Sequence, residues 1–84
     1  MMFPDFELDL HSMTVDESLA RIDHFLSESY AADARWVRVI HGKGTGVLRL
    51  ATRRHLAKHP LVKSYAPADH WSGGDGATMV ELAD

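Results

Sequence analysis

Eighty-four residues, 45% of them hydrophobic and 25% charged, make one small folded domain, too short for a nicotinamide- or ATP-binding fold and too apolar for global disorder. No apolar run nears the ~20 residues of a membrane span, the Met1-Met2-Phe3-Pro4-Asp5 start lacks the basic and apolar parts of a secretory leader, and the absence of cysteine excludes disulfides and thiolate ligation. The expectation is a soluble cytoplasmic protein with no membrane partner, and its net charge of −3 hides eight basic residues and no acid between Arg35 and Lys63, which predicts a positive side on a negative remainder.

Residues 1–5 are expected to be a flexible N-terminus and 6–84 one domain. Phe6 to His11 alternates apolar and polar residues, the period of a half-buried strand. Phe6, Leu8 and Leu10 then face the core, and Glu7, Asp9 and His11 share the other face. Asp9 and His11, two apart, project the same way near the end of the strand. A carboxylate there can orient the imidazole, raise its pKa or share a metal ion with it, and an exposed polar face would have the same spelling. Thr14-Val15-Asp16-Glu17 fits a capping box, and Val15, Leu19, Ile22 and Leu26 follow on one stripe, which predicts a helix from Val15 to Tyr30 with His24 on the surface.

A second strand covers Arg35 to Ile40. Strand, helix and strand at this spacing form a βαβ unit, whose two strands are parallel and end at the same edge of the sheet. His11 and His41 are therefore expected to emerge together, although 30 residues separate them in sequence. His41-Gly42-Lys43-Gly44-Thr45-Gly46 follows, and a helix is predicted from Val47 to His59, with Thr45 as a cap and Pro60 as its stop. The glycines let backbone amides approach an anion, and Lys43 and His41 add a charge and a group that titrates near neutrality, neither of which a tight turn requires. The spelling matches neither the dinucleotide fingerprint nor the phosphate loop of ATPases. Arg49 and Arg53, and likewise Arg54 and Lys58, are like-charge i,i+4 pairs whose repulsion a polyanion would offset. Leu61 to Tyr65 reads as a third strand and Ala77 to Leu82 as a fourth. Between them, Pro67 to Gly76 is a Gly-rich loop in which Trp71 can either stack on a base or cap the core edge.

The order of these motifs, Leu8-Asp9-Leu10-His11, the Thr14 to Leu26 helix, the His41 to Gly46 loop with Leu48-Arg49, and Gly73-Gly74-x-Gly76-x-Thr78, resembles the small MutS-related (Smr) domain, most like the one that ends bacterial MutS2 proteins. The resemblance spans Phe6 to Leu82. It implies an α+β two-layer sandwich, βαβαββ, with a mixed four-stranded sheet and two helices on one face, similar to the C-terminal domain of the third bacterial translation initiation factor. It also implies endonuclease activity on DNA, or on RNA, within a larger MutS2-like chain, the isolated domain being monomeric. Asp9 and His11 then match the acidic motif, and His41, Gly42, Lys43, Gly44 and Gly46 match the loop, with Asp9, His11, His41 and Lys43 expected to be catalytic and Gly42, Gly44, Thr45 and Gly46 to bind nucleic acid. Ser12 stands where the family usually has glycine.

The expected chemistry is phosphodiester cleavage of low sequence specificity. Loop amides and Lys43 hold the phosphate, His41 or His11 moves protons with Asp9 orienting it, and Arg49, Arg53, Arg54 and Lys58 track the backbone. The loop before the fourth strand is either a plain hairpin connection or a flap whose Trp71, Gly73 and Gly74 bind the nucleic acid. Asp9, His11 and His41 could form a partial ligand set for divalent magnesium or manganese. A non-catalytic nucleic-acid or ribosome-binding module is the alternative.

Overall fold

The computed structural model describes residues 3–84. Its elements run β1 (Phe6–Asp9), α1 (Val15–Ala31), β2 (Trp36–Ile40), α2 (Val47–Ala57), β3 (Val62–Pro67) and β4 (Ala77–Leu82), with two short 3-10 turns, His70–Ser72 and Gly74–Gly76, inside the loop before β4. The strands lie in the order β1-β2-β4-β3. β1 and β2 are parallel, and β4 is antiparallel to both β2 and β3.

One face of this sheet carries the core. Val37 and Val39 of β2 are fully buried while Trp36, Arg38 and Ile40 are only partly so, the alternation a strand imposes. Leu8 and Leu10 join them, with Val80 and Leu82 from β4, and over them lie Ile22, Phe25 and Leu26 of α1 and Leu56 of α2. Both helices therefore cover the same face. Removing most of a side chain such as Leu26 would cost about 2–5 kcal/mol, a large share of the roughly 5–15 kcal/mol that holds a domain together. Phe6, expected in the core, is exposed. It opens the edge strand β1, where there is no further strand to pack against.

α1 begins as its capping box predicts. The Thr14 hydroxyl accepts from the Glu17 amide, and the Glu17 carboxylate accepts from the Thr14 amide, which also holds the Glu17 pKa below its ordinary value. α2 departs from expectation at both ends. Its N-cap is Gly46, not Thr45, and it stops at Ala57, two residues before His59. β1 ends at Asp9, although the Leu10 amide still donates to the Ile40 carbonyl before the chain turns. Of the N-terminal stretch 1–5, residues 1–2 lie outside the described residues. Asp5 is tied to β2, its carboxylate accepting from the Arg35 and Trp36 amides.

The register places the site. Asp9 lies opposite Ile40, so the residues that follow, Leu10-His11 and His41-Gly42, leave the sheet side by side. β4, inserted between β2 and β3, sets Thr78 opposite Val39 and Ala77 opposite Ile40. The Gly76 carbonyl just before it accepts from both the His41 and Gly42 amides.

Candidate functional site

The 41–46 loop borders three adjoining depressions. Thr14, Val15, residues 41–47 and Arg49 line one of about 340 Å³. The first turns of both helices thus reach the same depression, but they differ. α1 carries Asp16 and Glu17 in its first turn, and its capping box ties the Thr14 and Glu17 amides. α2 has no acid in its first turn and no side-chain cap, apart from a long 3.4 Å contact of the Val47 amide with the Thr45 hydroxyl. Among the described residues, the amides of Lys43 to Gly46 and those of Leu48 and Arg49 have no protein acceptor. Free N–H groups and the positive end of the α2 dipole therefore face a depression that also holds Lys43 and Arg49.

Gly46 is what lets Arg49 lie here. Its φ is +86°, a left-handed conformation that a side chain strains, and a Cβ there would sit 2.8 Å from a terminal nitrogen of Arg49. The guanidinium folds back over the loop into the space that the missing side chain leaves.

His41 is 9% exposed, and both ring nitrogens are engaged. Nδ1 lies 3.0 Å from the Gly42 carbonyl oxygen, and Nε2 lies 2.9 Å from the Thr78 hydroxyl. Burial pushes the imidazole below its ordinary pKa; the Gly42 carbonyl opposes the shift, and Arg53 and Arg49 add to it. Thr78 is fully buried and also accepts from Arg53 Nε at 3.1 Å. In the sequence Thr78 stands only as the last residue of the Gly-rich motif, with no role of its own. Its signal was a hydroxyl on the core side of a strand beside the loop. Arg53, expected to track a backbone, turns inward instead, and its Nη2 is buried with no partner among the described residues.

Asp9, His11, His41 and Gly42 line the second depression, of about 300 Å³, so the predicted convergence of the two histidines is present. The Asp9 carboxylate, however, accepts from the His11 backbone amide at 2.9 Å. It fixes the turn and makes no bond to the imidazole. That turn closes from the Met13 amide to the Leu10 carbonyl and holds Ser12 at φ 62°, which explains why a glycine suits this position. The His11 ring is exposed and has no hydrogen-bond partner among the described residues. Among the described residues no three His, Asp or Glu side chains are grouped to hold a metal ion, and with both His41 nitrogens engaged the expected set of Asp9, His11 and His41 does not fit one.

Lys43 and Gly42 border the third depression, of about 360 Å³, with Arg38, Gly73 and Trp71. Trp71 is 79% exposed and packs edge-on against His70, so it does not cap the core. Lys43 and Asp9 thus flank the loop in different depressions, with His41 and Gly42 between them.

The charge segregation read along the chain does not survive folding intact. β1 and β4 bring acids beside β2 and β3, so Arg38 pairs with Glu7, and Arg35 and Lys63 both approach Glu81. Lys43, Arg49, Arg54 and Lys58 remain without ion pairs among the described residues. On the opposite flank of α2, Asp23 accepts from His55 Nε2 at 2.6 Å and His59 Nε2 at 3.1 Å, which joins α2 to α1. The Leu61 amide donates to His59 Nδ1, so that ring carries its proton on Nε2, the state that donates to Asp23 and cannot ligate a metal there.

Comparison with known proteins places this geometry. The family model of the Smr domain matches residues 8–83. The protein named Endonuclease MutS2 from Caldicellulosiruptor saccharolyticus is 44% identical over 80 residues, covering 95% of this chain and 10% of that protein. Its counterpart from Thermomicrobium roseum is 47% identical over 76 residues, covering 90% of this chain and 10% of that protein. The chain thus spans about a tenth of the length of these relatives. The crystal structure of the Smr domain of Thermus thermophilus MutS2 superposes with a TM-score of 0.91 at 42% identity, covering 93% of this chain and 98% of that one. YdaL, a stand-alone small MutS-related protein from Escherichia coli, gives a TM-score of 0.87 at 30% identity, covering 93% and 64%.

Proposed function

The chain belongs to the Smr domain family, and from that premise we propose that it cleaves phosphodiester bonds in DNA or RNA with low sequence specificity. One observation carries the reading: the uncapped N-terminus of α2 opens, with Lys43 and Arg49, into a single depression, while the equivalent end of α1 is closed by its own capping box. That arrangement suits an oxygen of a bound phosphate, and it suits the added charge of the transition state better still.

His11 is the group for proton transfer. Its imidazole faces solvent beside Asp9 and can take the proton of an attacking water or 2′-hydroxyl. His41, bonded at both nitrogens, holds the loop. Exposed Arg54 and Lys58 extend the positive surface beyond the reacting phosphate, and Trp71 offers a face on which a base can stack. None of these contacts reads a base edge, hence the low specificity. The relatives named endonuclease support the reaction class.

A binding module without chemistry is the second reading, and the engaged His41 ring favours it, since only the His11 imidazole is then left to act. Nicking of supercoiled plasmid and cleavage of single-stranded RNA by the purified chain separate the two. Cleavage lost about a hundredfold in Lys43→Ala, the scale of one transition-state donor, and lost in His11→Ala, supports the enzyme. Salt-sensitive binding with no cleavage by the unaltered chain, with or without added magnesium or manganese, supports the module.

A further inference from the structure

The groups around His41 admit one arrangement of protons when the ring is neutral. The Gly42 carbonyl only accepts, so the nitrogen 3.0 Å from it, Nδ1, carries the ring proton. Arg53 only donates, so its Nε–H occupies one lone pair of the Thr78 oxygen. The hydroxyl proton of Thr78 is then left for Nε2, which needs a donor at 2.9 Å. A directed chain results, from Arg53 Nε–H to Thr78, from Thr78 O–H to Nε2, and from Nδ1–H to Gly42. Adding a proton to Nε2 would aim two N–H groups at one oxygen, strand the hydroxyl proton and place a second cation beside the partly buried guanidinium of Arg53.

The far end of this chain matters to the loop. The His41 and Gly42 amides are pinned to the Gly76 carbonyl, and the Gly42 carbonyl is drawn to the ring. No peptide bond here is cis, and in a trans peptide the C=O and N–H point opposite ways. Drawing the Gly42 carbonyl toward the ring therefore turns the Lys43 N–H away from it. We propose that Thr78, backed by Arg53, is the positioning residue of the loop: its hydroxyl holds His41 as the neutral Nδ1–H tautomer, which turns the Lys43 amide outward to the bound phosphate. Only the last step rests on the phosphate-site reading. Thr78 touches no substrate, being fully buried, and acts through His41.

The test is nitrogen NMR of the His41 ring, together with the response of the Lys43 amide to a short single-stranded oligonucleotide. The unaltered protein shows the Nδ1–H tautomer at neutral pH. Thr78→Val, which keeps the branched shape and removes the hydroxyl, loses that single tautomer and weakens oligonucleotide binding about tenfold, the scale of one hydrogen bond to a charged group. Thr78→Ser restores both. An Nε2–H or charged ring in the unaltered protein, or an unchanged tautomer in Thr78→Val, overturns the proposal. Should Thr78→Val fail to fold, the tautomer in the unaltered protein and in Thr78→Ser still decides. The expected tautomer with no oligonucleotide binding sinks the phosphate reading and leaves the lock. Equal binding by Thr78→Val and the unaltered chain sinks the lock and leaves the phosphate reading.

Discussion

Replacing Gly46 by alanine sets backbone strain and side-chain displacement against each other, and Gly42→Ala separates them. Both glycines have similar left-handed angles, φ +86° and +81°. A side chain held there costs about 1–2 kcal/mol, and for a domain of this size each kcal/mol lowers the melting temperature by roughly 4–8 °C. Both variants should therefore melt roughly 4–16 °C lower. They differ in what the new methyl meets. Around Gly42 nothing lies within 4 Å, whereas at Gly46 the methyl would sit 2.8 Å from the end of the Arg49 side chain. That end is flexible, so Gly46→Ala expels the guanidinium from the depression without unfolding the helix. Oligonucleotide binding measured across a salt series should lose about one unit of slope in Gly46→Ala, the signature of one phosphate contact removed. Gly42→Ala should keep that contribution. Equal slopes in the two variants would show that Arg49 does not contact phosphate from this position.

Ser12→Gly relieves the left-handed strain in the turn after β1, and should raise stability by up to about 1 kcal/mol, seen as a higher melting temperature without loss of binding. Because folding depresses the His41 pKa, the unfolded chain binds its proton more readily. The stabilisation is full above the ordinary value of 6.5 and is lost as pH falls from there through the folded value. Urea unfolding at pH 7.5 and 5.5 should show a drop that His41→Gln reduces, and an equal drop in both proteins would contradict it. Asp5 and Glu17 are also depressed but act lower, as pH falls past 3.8 and 4.5.

Local chemistry was legible where it was self-contained. The capping box of α1 and the parallel pairing of β1 with β2 each depend on residues close in sequence or on a connection with one common solution, and each is present. Fold and family followed from the same motifs. What sequence could not supply was pairing across the sheet. The insertion of β4 beside β2 gives Arg35 its acid and His41 its hydroxyl, and no spacing rule foretells which polar atom a strand will bring opposite another. Arg53 was misread for that reason. On a helix wheel it is one more cation, and its contact with Thr78 is visible only once β4 lies under α2. Asp9 was read toward the wrong atom, because a turn amide two residues on competes with the imidazole and lies closer to the backbone.

Whether a phosphate sits on the N-terminus of α2 can be read from amide chemical shifts followed while a short oligonucleotide is added. Changes are expected to concentrate at Lys43 to Gly46, Leu48 and Arg49, with Thr14 and Val15 on the same depression changing little because the capping box and the acids Asp16 and Glu17 already occupy that helix end. Changes centred on the sheet face around Arg38 and Glu81, with the 43–49 amides unmoved, would contradict it.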